Sequence, residues 1–161
     1  MDIVRLSSDC VPIIAPAVDI PGDARGSYVL LIALAYDRAF RAGSLPERCY
    51  PAGFYTYTGS ALGGIRGRVG HHLKRDKKLH WHIDYLLEWA DVVGVGIRES
   101  ALREECTIAR RLAARFDSVA GFGCSDCSCR SHLFYCDDED NMKSGIESAG
   151  VTMLAPEGRK Y

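Results

Sequence analysis

Residues 26–35, GSYVLLIALA, form an unbroken apolar run that opens on a glycine. A β-rich stretch of this kind, with no polar alternation, reads as a strand buried on both faces. Such a strand needs apolar cover on either side, so the remaining segments are read for what they bring to it. Phe54–Thr58 is a second strand, rich in aromatic residues. The connector over 36–50 is polar, contains Gly43 and Pro46, and is too short for a parallel crossover. Ile65–Arg75 is helical, because Ile65, Val69, His72 and Leu73 fall on one stripe at 100° per residue. His82–Ala90 is a second helix, with Ile83, Leu86, Leu87 and Ala90 on its apolar side. Val92–Arg98 is a third strand. Ser100 is placed to cap a long helix reaching Phe116, with Leu102, Cys106, Ala109, Ala113 and Phe116 as its core stripe. Ser131–Cys136 adds a short strand. The expected fold is α/β (α+β): a small, mostly antiparallel central sheet flanked by helices.

With 161 residues the chain is long enough for one domain with a real core and too short for two comfortable ones. Hydrophobic content of 47% beside 25% charged residues is a soluble globular profile. No apolar run approaches a membrane span, and the Met1 start lacks the basic-then-apolar layout of a secretory signal. A cytoplasmic protein without a membrane partner is expected. Residues 1–25 read as an extended lead-in, 26–136 as the folded domain, and 137–161, which opens with the acidic DDED, as a flexible tail.

The net charge of −1 excludes general affinity for polyanions, but the charge is unevenly spread. Arg66, Arg68, Lys74, Arg75, Lys77 and Lys78 crowd one segment against a single acid, Asp76. Arg68 and His72 are four residues apart, on the same edge of the helical stripe, and follow a glycine turn with free backbone N–H groups. An arginine there is a competent phosphate clamp, or one member of a solvated basic face. Glu105 falls on the buried stripe of its helix between Leu102 and Ala109, while Glu104 points away. A carboxylate on a core face is costly unless it binds a metal or is paired, for instance with Arg68. Tyr28 and Tyr57 lie on different strands, each two residues from a glycine, and either could simply be packing.

Taken in order, GSY at 26–28, PAGFYTYTGSALG, the R-x-x-x-H helix, KKLHWHIDYLL, Glu105-Cys106 and FGCSDC-x-CRSHLFY resemble the GIY-YIG nuclease superfamily. The resemblance is to a mainly archaeal branch of unknown function, free-standing or fused to endonuclease III-type glycosylases, and covers residues 24–136. It implies a metal-dependent endonuclease acting on DNA, branched or damaged, in a repair setting that includes a repair-protein partner. In such a site Tyr28 and Tyr57 line the active face and one of them activates water. Arg68 holds the scissile phosphate, His72 stands beside it, and Glu105 carries Mg²⁺ or Mn²⁺. Arg66, Lys74, Arg75, Lys77 and Lys78 are then the nucleic-acid-binding cations. The gap between the two motifs is long for the superfamily, so an inserted hairpin or loop is expected over 36–53.

Seven cysteines, four of them between Cys124 and Cys136, point to buried thiols or a metal site rather than a disulfide framework. Cys124, Cys127, Cys129 and His132 have spacing that could serve zinc, although four ligands in nine residues would require sharp folding. Two further function classes stay open beside the nuclease: a nucleic-acid-binding module that no longer cuts, and a zinc-stabilised interaction domain.

Overall fold

The computed structural model describes residues 19–125 and 127–155. The lead-in expected over 1–25 lies outside the described residues as far as residue 18. Among the described residues eight strands are present: β1 (Gly26–Leu34), β2 (Arg38–Phe40), β3 (Arg48–Tyr50), β4 (Gly53–Ala61), β5 (Asp91–Glu99), β6 (Asp117–Ser118), β7 (Leu133–Cys136) and β8 (Thr152–Met153). Four helices accompany them: α1 (Ile65–Leu73), α2 (His82–Leu86), α3 (Glu105–Ala113) and α4 (Glu139–Ser148). Six strands form one antiparallel sheet in the order β6-β7-β4-β1-β5-β8, and β2 pairs with β3 in a separate hairpin.

All nine residues of β1 are buried, as an apolar run without alternation requires. The strand's period of two divides them between two cores. Tyr28, Leu30, Ile32 and Leu34 face Ile65 and Val69 of α1, Ile83 and Leu86 of α2, and Phe40 and Tyr50 of the hairpin. Val29, Leu31 and Ala33 face Ile108 and Leu112 of α3 and Met142 and Ile146 of α4. The insertion expected over 36–53 is the β2–β3 hairpin, which closes one end of the first core.

Two expectations need correction. The helix expected from Ser100 starts at Glu105; Ser100 instead accepts the Leu102 N–H at 3.0 Å in a local turn. Leu102 is 71% exposed and Ala113 is exposed, so the buried stripe is Ile108, Ala109 and Leu112. Glu105 is the N-terminal end of that stripe rather than its middle. The second correction concerns the tail. Residues 139–148 form a helix capped by Asp138, and β8 pairs with β5. Met142 and Ile146, four apart, bury one side of α4, and Gly145 lets Phe116 approach so closely that a Cβ would stand 2.3 Å from its ring. Of the acidic residues that suggested disorder, Asp138 caps this helix and Glu139 and Asp140 form its first turn, where negative charge meets the helix N-terminus. Among the described residues no helix is long and apolar enough to cross a membrane.

Candidate active site

Tyr28 lies opposite Gly59 in the β1–β4 register, and Tyr57 lies opposite Leu30, so both tyrosines share the face covered by α1. Gly59 is needed for this arrangement. The Tyr28 ring crosses directly over it, and a Cβ there would meet the Tyr28 hydroxyl at 2.5 Å. β4 then turns through residues 62–64 into α1, whose Ile65 N–H is tied to the Ala24 carbonyl at 2.9 Å. This brings Arg68 and His72, one helical turn apart, back over the two tyrosines.

The Tyr28 hydroxyl and His72 Nε2 are 2.7 Å apart and buried. On the far side of the imidazole, Nδ1 faces Asp84 Oδ1 at 3.8 Å, an electrostatic contact rather than a hydrogen bond. A carboxylate only accepts, so the ring proton belongs on Nδ1 and the Tyr28 O–H donates to Nε2. Asp84 is fully buried. Its Oδ2 accepts the N–H groups of His80 and Trp81 at 2.8 and 2.9 Å, and Lys77 Nζ lies 3.7 Å from Oδ1. Burial works against its charge, but these donors and the His72 side chain together hold it well below the ordinary carboxylate range.

Arg68 is half-buried between three partners. Nη1 donates to the Ser60 carbonyl at 3.2 Å, the guanidinium lies 4.9 Å above the Trp81 ring, and its charge bears on Tyr28. Burial pushes the Tyr28 phenol far above its usual value, and Arg68 opposes that rise by charge and hydrogen bonding. Tyr57 is also raised by burial, with further contributions from Tyr28, Asp84 and Glu105 against Arg68. Glu105, half-buried at the start of α3, lies within electrostatic reach of both tyrosines. Tyr28, Tyr57, Arg68 and His72 thus meet on the α1 face of the sheet, whereas Glu105 stands on the helix that packs against the second core and reaches the tyrosines through its charge alone.

Two residues outside that set build its frame. Ser27 is buried on the opposite face of β1; its Oγ accepts the Glu104 N–H at 2.9 Å and contacts Ser60 Oγ at 2.8 Å. It fixes where α3 begins and hence where Glu105 stands, while Glu104 turns out to pair with Arg98 at 3.1 Å. His82 Nδ1 accepts the Gly123 N–H at 2.9 Å. Gly123, with φ of 73°, presses on Tyr57 so closely that a Cβ would lie 2.9 Å from its ring.

The expected nucleic-acid cations divide. Arg66, Lys74 and Lys78 are exposed. Arg75 pairs with Asp91 at 2.9 Å. Lys77 is a structural cation: it is almost fully buried, donates to the His72 carbonyl at 2.6 Å, and faces Asp84.

The cysteine cluster also takes a different form. Ligand atoms of Cys106, Cys127, Cys129 and His132 all lie within 4.8 Å of one another, an arrangement able to hold a metal ion. Cys106, from α3, takes the place expected for Cys124, whose thiol donates instead to the Arg130 carbonyl at 3.5 Å. A ligand from a distant helix removes the need to fold four ligands from nine consecutive residues. Burial, with the neighbouring Cys129 and Cys127 thiols, pushes the Cys106 thiol up to about 12.

Burial lowers the pKa of both His72 and His82. The unfolded chain, with histidines near about 6.5, then takes up protons that the folded chain refuses. Stability is therefore expected to be full above about pH 6.5 and to decline below it until the depressed folded values are reached. Urea midpoints measured from pH 8 to 5 should fall on the acid side, and a flat profile would contradict the burial of these rings. His82→Gln, which keeps an acceptor for Gly123, should flatten part of the slope.

A family model described as a domain of unknown function, DUF123, matches residues 27–155. Neither the curated proteins nor the solved structures give a match.

Proposed function

The chain belongs to the DUF123 family, and from the geometry of its site we propose that it is a metal-dependent endonuclease of the GIY-YIG kind, hydrolysing DNA phosphodiester bonds. The observation that carries this reading is the meeting of a tyrosine–histidine–aspartate series with an arginine. Tyr28 donates to a neutral His72, Asp84 stands behind the ring, and Arg68 lies beside the phenol. Arg68 binds a non-bridging oxygen of the scissile phosphate and holds the phosphorus in line with an incoming water. As the water oxygen bonds to phosphorus, its proton passes to the phenol oxygen while the phenol proton passes to His72 Nε2. The resulting imidazolium is stabilised by Asp84. The P–O bond to the leaving oxygen breaks, and that oxygen is protonated from solvent.

Glu105, the carboxylate within electrostatic reach of both tyrosines, fits a hard divalent cation that keeps most of its waters, Mg²⁺ or Mn²⁺. Such an ion, when bound, supplies charge neutralisation at the phosphate and leaving oxygen. A role in repair, on branched or damaged DNA and beside a repair protein, goes with this reading.

A second reading, a nucleic-acid-binding module of the same fold that does not cut, draws on α1. Gly63, Gly67 and Gly70 run along one side of the helix and its entry turn, each with open space where a Cβ would be, beside exposed Arg66 and Lys74. Bare backbone flanked by cations admits a sugar-phosphate chain closely. Both readings predict DNA binding; only the first predicts strand breaks. Plain, nicked and branched duplexes incubated with Mg²⁺ or Mn²⁺ should be cut, and Arg68→Ala should slow cutting by about 10²–10³-fold. Binding without any cutting of these substrates would leave the module reading in its place.

A further inference from the structure

Cys106 lies in the first turn of α3, Cys127 and Cys129 in the loop between β6 and β7, and His132 immediately before β7. The Sγ atoms of Cys106 and Cys127 stand 3.8 and 3.6 Å from His132 Nε2. Ligands about 2.0–2.3 Å from a shared tetrahedral ion are separated by about 3.5–3.8 Å, so these spacings are those of neighbouring corners around one centre. We propose that Cys106, Cys127, Cys129 and His132 bind a structural zinc ion that fastens the start of α3 to the loop covering Tyr57.

The donor set selects the metal. Three thiolates and an imidazole suit zinc and discriminate against the hard cations expected at Glu105. Four protein ligands complete a tetrahedral shell and leave no open position, which makes the site structural rather than catalytic. The backbone already holds His132 for this role: its N–H donates to the Phe122 carbonyl at 2.8 Å, and its carbonyl accepts the Thr58 N–H at 3.1 Å. Pairing of β4 with β7 runs only from Phe54 to Tyr57, so beyond Tyr57 this loop is what joins the two strands. Phe122 packs edge-on against Tyr57 with ring centres 6.3 Å apart, and Cys106 adjoins Glu105 in sequence. One ion would thus fix the helix that carries Glu105 and the wall of the Tyr57 pocket together.

The test is independent of any nuclease activity. Protein purified under reducing conditions is expected to carry about one zinc per chain by elemental analysis. Cobalt substituted for zinc should give thiolate charge-transfer and intense tetrahedral d–d absorption. Cys106→Ser and Cys129→Ser should each reduce bound metal severalfold, while Cys124→Ser and Cys49→Ser should retain it. If the ligand variants do not fold, the cobalt spectrum of the wild-type chain still decides. Absence of that spectrum, metal retained by Cys106→Ser, metal lost equally in Cys124→Ser, or a disulfide among Cys106, Cys127 and Cys129 in reduced preparations would each overturn the assignment.

Discussion

Replacing Asp84 with alanine is expected to cost about 3–5 kcal/mol of stability, the scale set by removing one partner of a buried ionic network. Asp84 is fully buried and joins two helices that would otherwise only abut. It receives the N–H groups of His80 and Trp81 at the entry to α2, and faces His72 and Lys77 at the exit of α1. Alanine orphans the two N–H donors and leaves Lys77, 6% exposed at its side chain, without its paired carboxylate. The companion experiment separates charge from packing. Asp84→Leu combined with Lys77→Met removes both ions, and should recover part of the loss suffered by Asp84→Leu alone. Urea denaturation measures each. A midpoint for Asp84→Ala no lower than that of exposed Glu88→Ala would mean that the network contributes nothing.

The same network explains what the sequence could and could not reveal. β1 and β4 were legible because burial on two faces imposes a composition, and the α1 stripe because Ile65, Val69 and His72 repeat at helical spacing. The proximity of Tyr28, Tyr57, Arg68 and His72 was legible through the order of short motifs. Asp84 was not, because its meaning depends on two helix ends meeting, and a carboxylate three residues into a five-residue helix carries no periodic signal. Lys77 was misread for the same reason: a lysine between Asp76 and Lys78 looks solvated until Asp84 is found behind it. Cys106 escaped because metal ligands are sought at close sequence spacing, whereas α3, a separate helix upstream, delivers this one. The phase of α3 was misjudged at Leu102, since Ser27, on another strand, dictates through the Glu104 N–H where that helix begins.

On the proposed nuclease reading, Tyr28→Phe is expected to lower DNA cleavage by about 10²–10⁴-fold, the range for loss of a positioned proton-transfer group, while leaving DNA binding near the wild-type level. Phenylalanine keeps the ring over Gly59 and removes only the hydroxyl that His72 Nε2 accepts from. The unpaired ring nitrogen should cost about 1–3 kcal/mol, so the variant is compared at a temperature where both proteins are folded. Tyr57→Phe provides the contrast. Its ring is held by edge contacts with His72 and Phe122, at centre distances of 6.1 and 6.3 Å, which survive the change. If the proton moves through Tyr28 to His72, the two substitutions must differ by at least tenfold in single-turnover rate. Below the depressed His72 pKa, the wild-type rate should fall with an acid limb that Tyr28→Phe lacks, because a protonated ring accepts nothing from the phenol. Equal rates for the two variants, or an acid limb unchanged in Tyr28→Phe, would remove the Tyr28–His72 pair from the chemistry and leave it a role in packing alone.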